Sequence, residues 1–166
     1  MQVGRYRIDS VFGQMTPQLR GELVQFWLDE NALPDANAAW ARTDEVVCIA
    51  RDPAGEIVSV NTVYLAPLQG AEDLHYFYRM FTRPRDRVLE LTTAMSRACR
   101  ACLAASPLRD KRAHGVVIVA ENPKLQTPAG HRLLSGRGWI LVGKTERGLD
   151  VWKRPFPEAG ASVEPA

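Results

Sequence analysis

At 166 residues, with 46% hydrophobic and 24% charged side chains, the chain can bury a real core and is expected to form one domain over residues 1–154. A net charge of +2, from 21 basic and 19 acidic residues, argues against a general nucleic-acid or membrane binder, so any strong anion site must be local. The odd set of three cysteines rules out a secreted disulfide framework, and MQVGRYRIDS lacks the apolar core of a signal peptide, so a cytoplasmic location and no membrane partner are expected.

The first element is a short strand in GRYRID, where Tyr6 and Ile8 alternate with polar residues. Thr16-Pro17 starts a helix with a hydroxyl cap and a proline at the first helical position. Leu19, Leu23, Phe26 and Trp27 then supply one apolar face as far as about Ala32, and a second short helix covers Asp35 to Arg42. EVVCIAR and EIVSVNTVYL are β-rich runs joined at DPAG, a hairpin turn. The aromatic run LHYFYRMFT makes another strand, stopped by Arg83-Pro84. From Arg87 to about Ala105, Val88, Leu91, Met95, Ala98, Cys99 and Cys102 predict a long amphipathic helix. HGVVIVA reads as a buried central strand, and ENPKLQTPAGHRLLSGRGW holds a short helix ending at glycine. WILVGK and LDVWKR form a terminal hairpin, and residues 155–166 make a tail that is disordered by composition.

Arg83, Arg85 and Arg87 surround Pro84 just ahead of the long helix. Free N–H groups and the helix dipole favour an anion at such a place, and guanidinium groups pair well with phosphate oxygens. The plainer alternative is a solvated edge, with the cations opposing the dipole at a small cost. Cys99 and Cys102 spell C-x-x-C in mid-helix, away from the N-terminus that would activate a thiol, and no second pair completes a zinc site. They read as two small buried side chains on one helix face, and no metal is expected.

The element order is mixed α/β, with the aromatic strand, the arginine-led helix and the buried strand arranged as a β-α-β unit. The order and three local patterns resemble the GNAT superfamily of acyl-CoA-dependent N-acetyltransferases. The patterns are Phe81-Thr82-Arg83-Pro84-Arg85-Asp86-Arg87, Asn122 after the buried strand, and Leu133-Leu134-Ser135-Gly136-Arg137-Gly138-Trp139. The resemblance implies a mostly antiparallel central sheet of about seven strands with helices on both faces. It implies acetyl-CoA as cosubstrate, its diphosphate at the helix start (Phe81, Thr82, Arg83, Arg85, Arg87, Val88, Leu89, Glu90, Leu91, Thr92) and its pantetheine arm near Asn122. In place of the family's two motif glycines stand Glu90 and Thr92, and Leu134 stands where many members carry a tyrosine that protonates the leaving thiolate.

Substitutes for that tyrosine each have two readings. Tyr76 and Tyr78 share one side of their strand, and a hydroxyl there could act as an acid at an acceptor groove or be bonded in the core. His75 is a candidate base or simply a partly exposed strand residue, and Ser135 a candidate donor or helix surface. The leading expectation is transfer to a small-molecule or protein amine by direct attack on the thioester. A GNAT-like binding or regulatory module with little catalysis is the second, and nucleic-acid binding through the arginines a weak third. Nothing in the sequence settles oligomeric state, and a homodimer stays open.

Overall fold

The computed structural model describes residues 1–70 and 72–157. Each run with strand character becomes a strand, and one more precedes them. Strand β1 (Gln2–Val3) turns back through Gly4, whose φ of +52° suits the left-handed region, to pair with β2 (Tyr6–Ser10). Helices α1 (Pro17–Asp29) and α2 (Ala36–Arg42) follow, capped by Thr16 and Asp35, whose side chains accept from the N–H groups of Leu19 and Ala38. Strands β3 (Val46–Arg51) and β4 (Ile57–Pro67) form the hairpin expected at DPAG, and β5 (Leu74–Thr82) is the aromatic strand. Helix α3 (Leu89–Ala105) leads to β6 (Gly115–Val119), α4 (Pro128–Ser135), β7 (Ile140–Lys144) and β8 (Asp150–Pro155).

The strands make one eight-stranded sheet in the order β1-β2-β3-β4-β5-β6-β8-β7. Pairing is antiparallel at β1/β2, β2/β3, β3/β4, β6/β8 and β8/β7, and parallel at β5/β6. A parallel neighbour requires a crossover, which is the β-α-β unit read from the sequence. The fold is therefore mixed α/β with a mostly antiparallel sheet, one short strand beyond the seven expected.

The chain divides into two compact units that share β4 and β5: Met1–Val63 with Arg79–Arg109, and Tyr64–Tyr78 with the described residues from Asp110 onward. In the first unit, Leu23, Phe26 and Trp27 of α1 and Ala39 of α2 bury against Val46, Ile49, Ile57 and Val60. Each large apolar side chain removed from water there contributes about 1.5–3 kcal/mol. Next to Val60, the fully buried Asn61 points the other way: its Oδ1 accepts from the Cys48 N–H at 2.8 Å and its Nδ2 donates to the Met95 carbonyl of α3 at 3.1 Å. Neighbouring strand residues face opposite sides, so α1/α2 and α3 cover opposite faces of β3 and β4. Helix α3 begins two residues later than expected, at Leu89. Pro84–Asp86 form a separate 3₁₀ turn, Arg87 (φ −75°, ψ 74°) is the centre of a tight turn closed by the Val88 N–H on the Asp86 carbonyl at 2.8 Å, and Val88 is extended at ψ 144°.

In the second unit, Tyr76, Phe77 and Tyr78 lie opposite Val116, Val117 and Ile118. The chain remains packed beyond Arg154: the Phe156 N–H bonds the His114 carbonyl at 3.0 Å, and its ring meets Tyr76 edge-on at 6.4 Å. Residues 158–166 of the expected tail lie outside the described residues. Among the described residues no helix is long and apolar enough to cross a membrane.

Candidate functional site

The arginine-rich turn is organised around a carboxylate of its own. Asp86 is fully buried, and its Oδ1 accepts from Arg5 Nη2 and from the Tyr6 hydroxyl, each at 2.8 Å. Its Oδ2 accepts from Arg83 Nε at 2.6 Å, with Arg85 Nε at 3.8 Å. Arg83 also reaches Asp52 in the β3–β4 turn, Nη2 to Oδ2 at 3.1 Å. Burial alone would raise the Asp86 carboxyl, but hydrogen bonds from Arg83 and Tyr6 and the Arg83 charge outweigh it and hold the group below the usual carboxylate range. The anion that Arg83 meets is thus internal, and this arginine clamps the turn shut.

The other two arginines are differently disposed. Arg85 is 74% exposed, and Arg87 is exposed with its Nε donating to the Thr82 carbonyl at 2.9 Å and its guanidinium 5.8 Å from the Phe81 ring centre. Thr82 is buried, its hydroxyl 2.7 Å from Ser59 Oγ. Val88, at the N-cap of α3, has no side chain able to cap, and Val88 and Leu89 are exposed apolar residues. The N–H groups of the first turn, Leu89 to Leu91, therefore start a helix without a capping side chain. Glu90 does not fold back over them: its Oε2 lies 3.7 Å from where a Cβ on Gly4 would sit. The Thr92 hydroxyl donates to the Val88 carbonyl at 3.1 Å, which keeps it close to the helix surface. An uncapped helix start flanked by two exposed guanidinium groups fits a diphosphate.

The other predicted residues fall in the second unit. His75 is buried, not partly exposed, with Nδ1 3.1 Å from the Asp73 carbonyl and its ring 5.8 Å from that of His114. Tyr76 takes the core reading: it is buried, and its hydroxyl accepts from the Asp110 N–H at 2.8 Å. Tyr78 is half-buried, on the last described rung of the parallel ladder, opposite Ile118. Asn122 caps the 3₁₀ turn Pro123–Gln126, its Oδ1 accepting from the Lys124 N–H at 3.0 Å. Ser135 is the exposed last residue of α4, and Leu134 beside it is buried.

A polar group that the sequence did not single out lies on α4. His131 Nε2 is 2.8 Å from Oδ2 of Asp150, whose Oδ1 accepts from Lys144 Nζ. Asp150 is buried, and hydrogen bonds from Lys144 and then His131 depress its carboxyl. The imidazole stands edge-on to Trp152 at 5.0 Å. His131 and Leu134 are three residues apart on one helix, so they share a face. The Thr127-Pro128 helix start could have placed His131 on that face. Asp150 lies 19 residues away and reaches it only through tertiary folding. Among the described residues no group of three or more His, Cys, Asp or Glu side chains is arranged to hold a metal ion.

No protein-family model and no curated protein sequence matches the chain. Solved structures do. A GNAT-family acetyltransferase from Listeria monocytogenes is 14% identical, covers 93% of this chain and 98% of its own, and superposes with a TM-score of 0.61. The fold is that of the GNAT acetyltransferases. A GNAT phosphinothricin acetyltransferase from Sinorhizobium meliloti, in complex with AcCoA, is similar at 14% identity, with 96% and 92% of the two chains covered and a TM-score of 0.61. A ribosomal-protein alanine acetyltransferase from Vibrio fischeri reaches a TM-score of 0.64 at 5% identity over 95% and 97%. In this chain β5 and β6 are the parallel pair of the sheet, and α3 is the helix between them.

Proposed function

We propose that the protein is an acetyl-CoA-dependent N-acetyltransferase acting on a small-molecule or protein amine. The observation that carries this reading is the start of α3, without a capping side chain and flanked by exposed Arg85 and Arg87, directly after the parallel strand β5. The bound cosubstrate supplies an activated acyl thioester for attack by the amine. In this reading Arg85 and Arg87 pair with the diphosphate, and the N–H groups of Leu89, Glu90 and Leu91 add dipolar stabilisation. Arg83 keeps Pro84–Asp86 in shape through Asp86, so the arginines that bind are presented by one that does not. Asn122 is assigned to the pantetheine arm, where its carboxamide Nδ2 can donate while Oδ1 caps its own turn. Tyr78, half-buried on β5, is the candidate proton donor, while Tyr76 bonds Asp110 and His75 is enclosed beside Asp73. Ser135, at the exposed end of α4, is the remaining candidate.

The second reading, a GNAT-fold binding or regulatory module, is favoured by one observation: Leu134, where the resemblance implies a tyrosine, is a buried packing residue. Thermal shift with acetyl-CoA, coenzyme A and an oligonucleotide, followed by single-turnover thiol release with an amine panel, separates the two. Stabilisation by both coenzyme forms with release of thiol is the expected result. Stabilisation without turnover would favour the module, and no response to either coenzyme form would overturn the acetyltransferase reading.

A further inference from the structure

In the second unit, α4 sets a histidine over a face of the sheet that carries other proton-handling groups. Ile118 of β6 has Tyr78 of β5 beside it on one flank and Trp152 of β8 on the other, and cross-strand partners share a face. Asp150, two residues before Trp152, points the same way. It lies next to Ala120, just past the carboxyl end of β6, whose N–H bonds the Asp150 carbonyl at 2.8 Å. His131 meets this face from above: Nε2 is 2.8 Å from Asp150 Oδ2, and the ring stands edge-on to Trp152 at 5.0 Å. Trp152 is 2% exposed, yet among the described residues its indole Nε1 has no hydrogen-bond partner, which leaves a donor on this face for a bound group. In open sheets with parallel strands, ligands collect beyond the carboxyl ends of those strands, and the His131–Asp150 pair stands at that end of β6.

We propose that His131 is the catalytic base that takes the proton from the acceptor amine, and that Asp150 is its positioning partner; the assignment rests on the acetyltransferase reading. An ionised carboxylate can only accept, so the imidazole donates through Nε2 and keeps its lone pair on Nδ1. The side chain is 36% exposed, and among the described residues Nδ1 has no hydrogen-bond partner. The charged groups joined to the imidazole are Asp150 of β8 and, through the other carboxylate oxygen, Lys144 of β7, which supplies the counterion that Asp150 needs. The amine nitrogen forms its bond to the acyl carbon as the carbon–sulfur bond breaks, with that bond's electron pair staying on sulfur. The surplus proton on nitrogen passes to Nδ1, and the imidazolium returns it to water. Tyr78, the candidate donor, or water protonates the sulfur. Base and acid then share one face, with Ile118 between the strands that carry them.

Nitrogen-15 NMR of the folded full chain without ligand, with the three histidines assigned through their backbone, reads the tautomer directly. In mildly alkaline buffer the expected result is a proton on Nε2 of His131 and none on Nδ1, a preference that Asp150→Asn should weaken. A proton on Nδ1 would overturn the assignment, and the wild-type spectrum needs no variant to fold. Glutamine can keep a donor on Asp150 but is no base. With acetyl-CoA and those amino acids, polyamines or short peptides that the wild type acetylates, His131→Gln should therefore lower kcat/KM about a hundredfold near neutral pH and bind coenzyme A as the wild type does. Its rate should rise only where the free amine itself loses its proton. A wild-type rate and pH profile in His131→Gln would overturn the base and leave the acetyltransferase reading standing. A wild type that acetylates none of these amines would overturn the assignment together with that reading.

Discussion

Asp86→Ala tests the idea that the turn before α3 is an ion-pair clamp. The carboxylate is fully buried and Arg83 is 11% exposed, so deleting one partner leaves a guanidinium and the Tyr6 hydroxyl in a site with little water. Breaking a buried pair in this way costs about 3–5 kcal/mol. The lower end applies, because Arg83 keeps Asp52 at 3.1 Å. For a chain of this length about 3 kcal/mol lowers Tm by roughly 6–12 °C. Arg5→Ala should cost far less, since its side chain is 60% exposed. The same clamp sets an acid limit. The Asp86 carboxyl is depressed in the folded state, so on acidification the unfolded chain takes up this proton first. Its stabilisation is complete above the unfolded carboxyl value of about 3.9 and is lost as pH falls through the lower folded value. Urea denaturation of wild type, Asp86→Ala and Arg5→Ala at neutral pH and in acid measures all of this. If Asp86→Ala lost no more stability than Arg5→Ala, Arg83 would be satisfied without Asp86 and the clamp would be refuted.

Arg87→Ala should weaken coenzyme A by about 1–3 kcal/mol, the range of a charge-assisted contact, and an unchanged Kd by calorimetry would remove Arg87 from the phosphate site. Glu90→Gly should tighten acetyl-CoA by removing a carboxylate and a Cβ near the diphosphate, even though glycine costs the helix up to about 1 kcal/mol. Unimproved binding in calorimetry would mean that the carboxylate, turned to the Gly4 corner, is already out of the way. Tyr78→Phe should lower turnover about a hundredfold with little change in cofactor binding, whereas equal turnover would make Tyr78 a packing residue. Gly130→Ala should destabilise by about 1–3 kcal/mol, because its Cβ would fall 2.4 Å from the Lys124 carbonyl oxygen; an unshifted Tm would show that the 3₁₀ turn moves aside freely.

What the sequence determined alone is what local rules decide. Thr16-Pro17 starts a helix because a capping oxygen and a preset φ act within a few residues, the helix expected from Asp35 is found there, and the unread Thr127-Pro128 obeys the same local rule. The β-rich runs became strands for the same reason, and their order, with one helix between the aromatic strand and the buried one, foretold the parallel pair of the GNAT fold. The two-residue β1 was missed because so short a strand has no period to read. Tertiary structure alone decided what the polar side chains do, since a charge takes its partner by distance in space. Asp86 draws in Arg5 and Tyr6 from about eighty residues away, which turns Arg83 from a presumed phosphate ligand into a clamp. Asp150 gives His131 a partner that no spacing announces, and burial separates Tyr76 from Tyr78 although the strand period makes them equivalent.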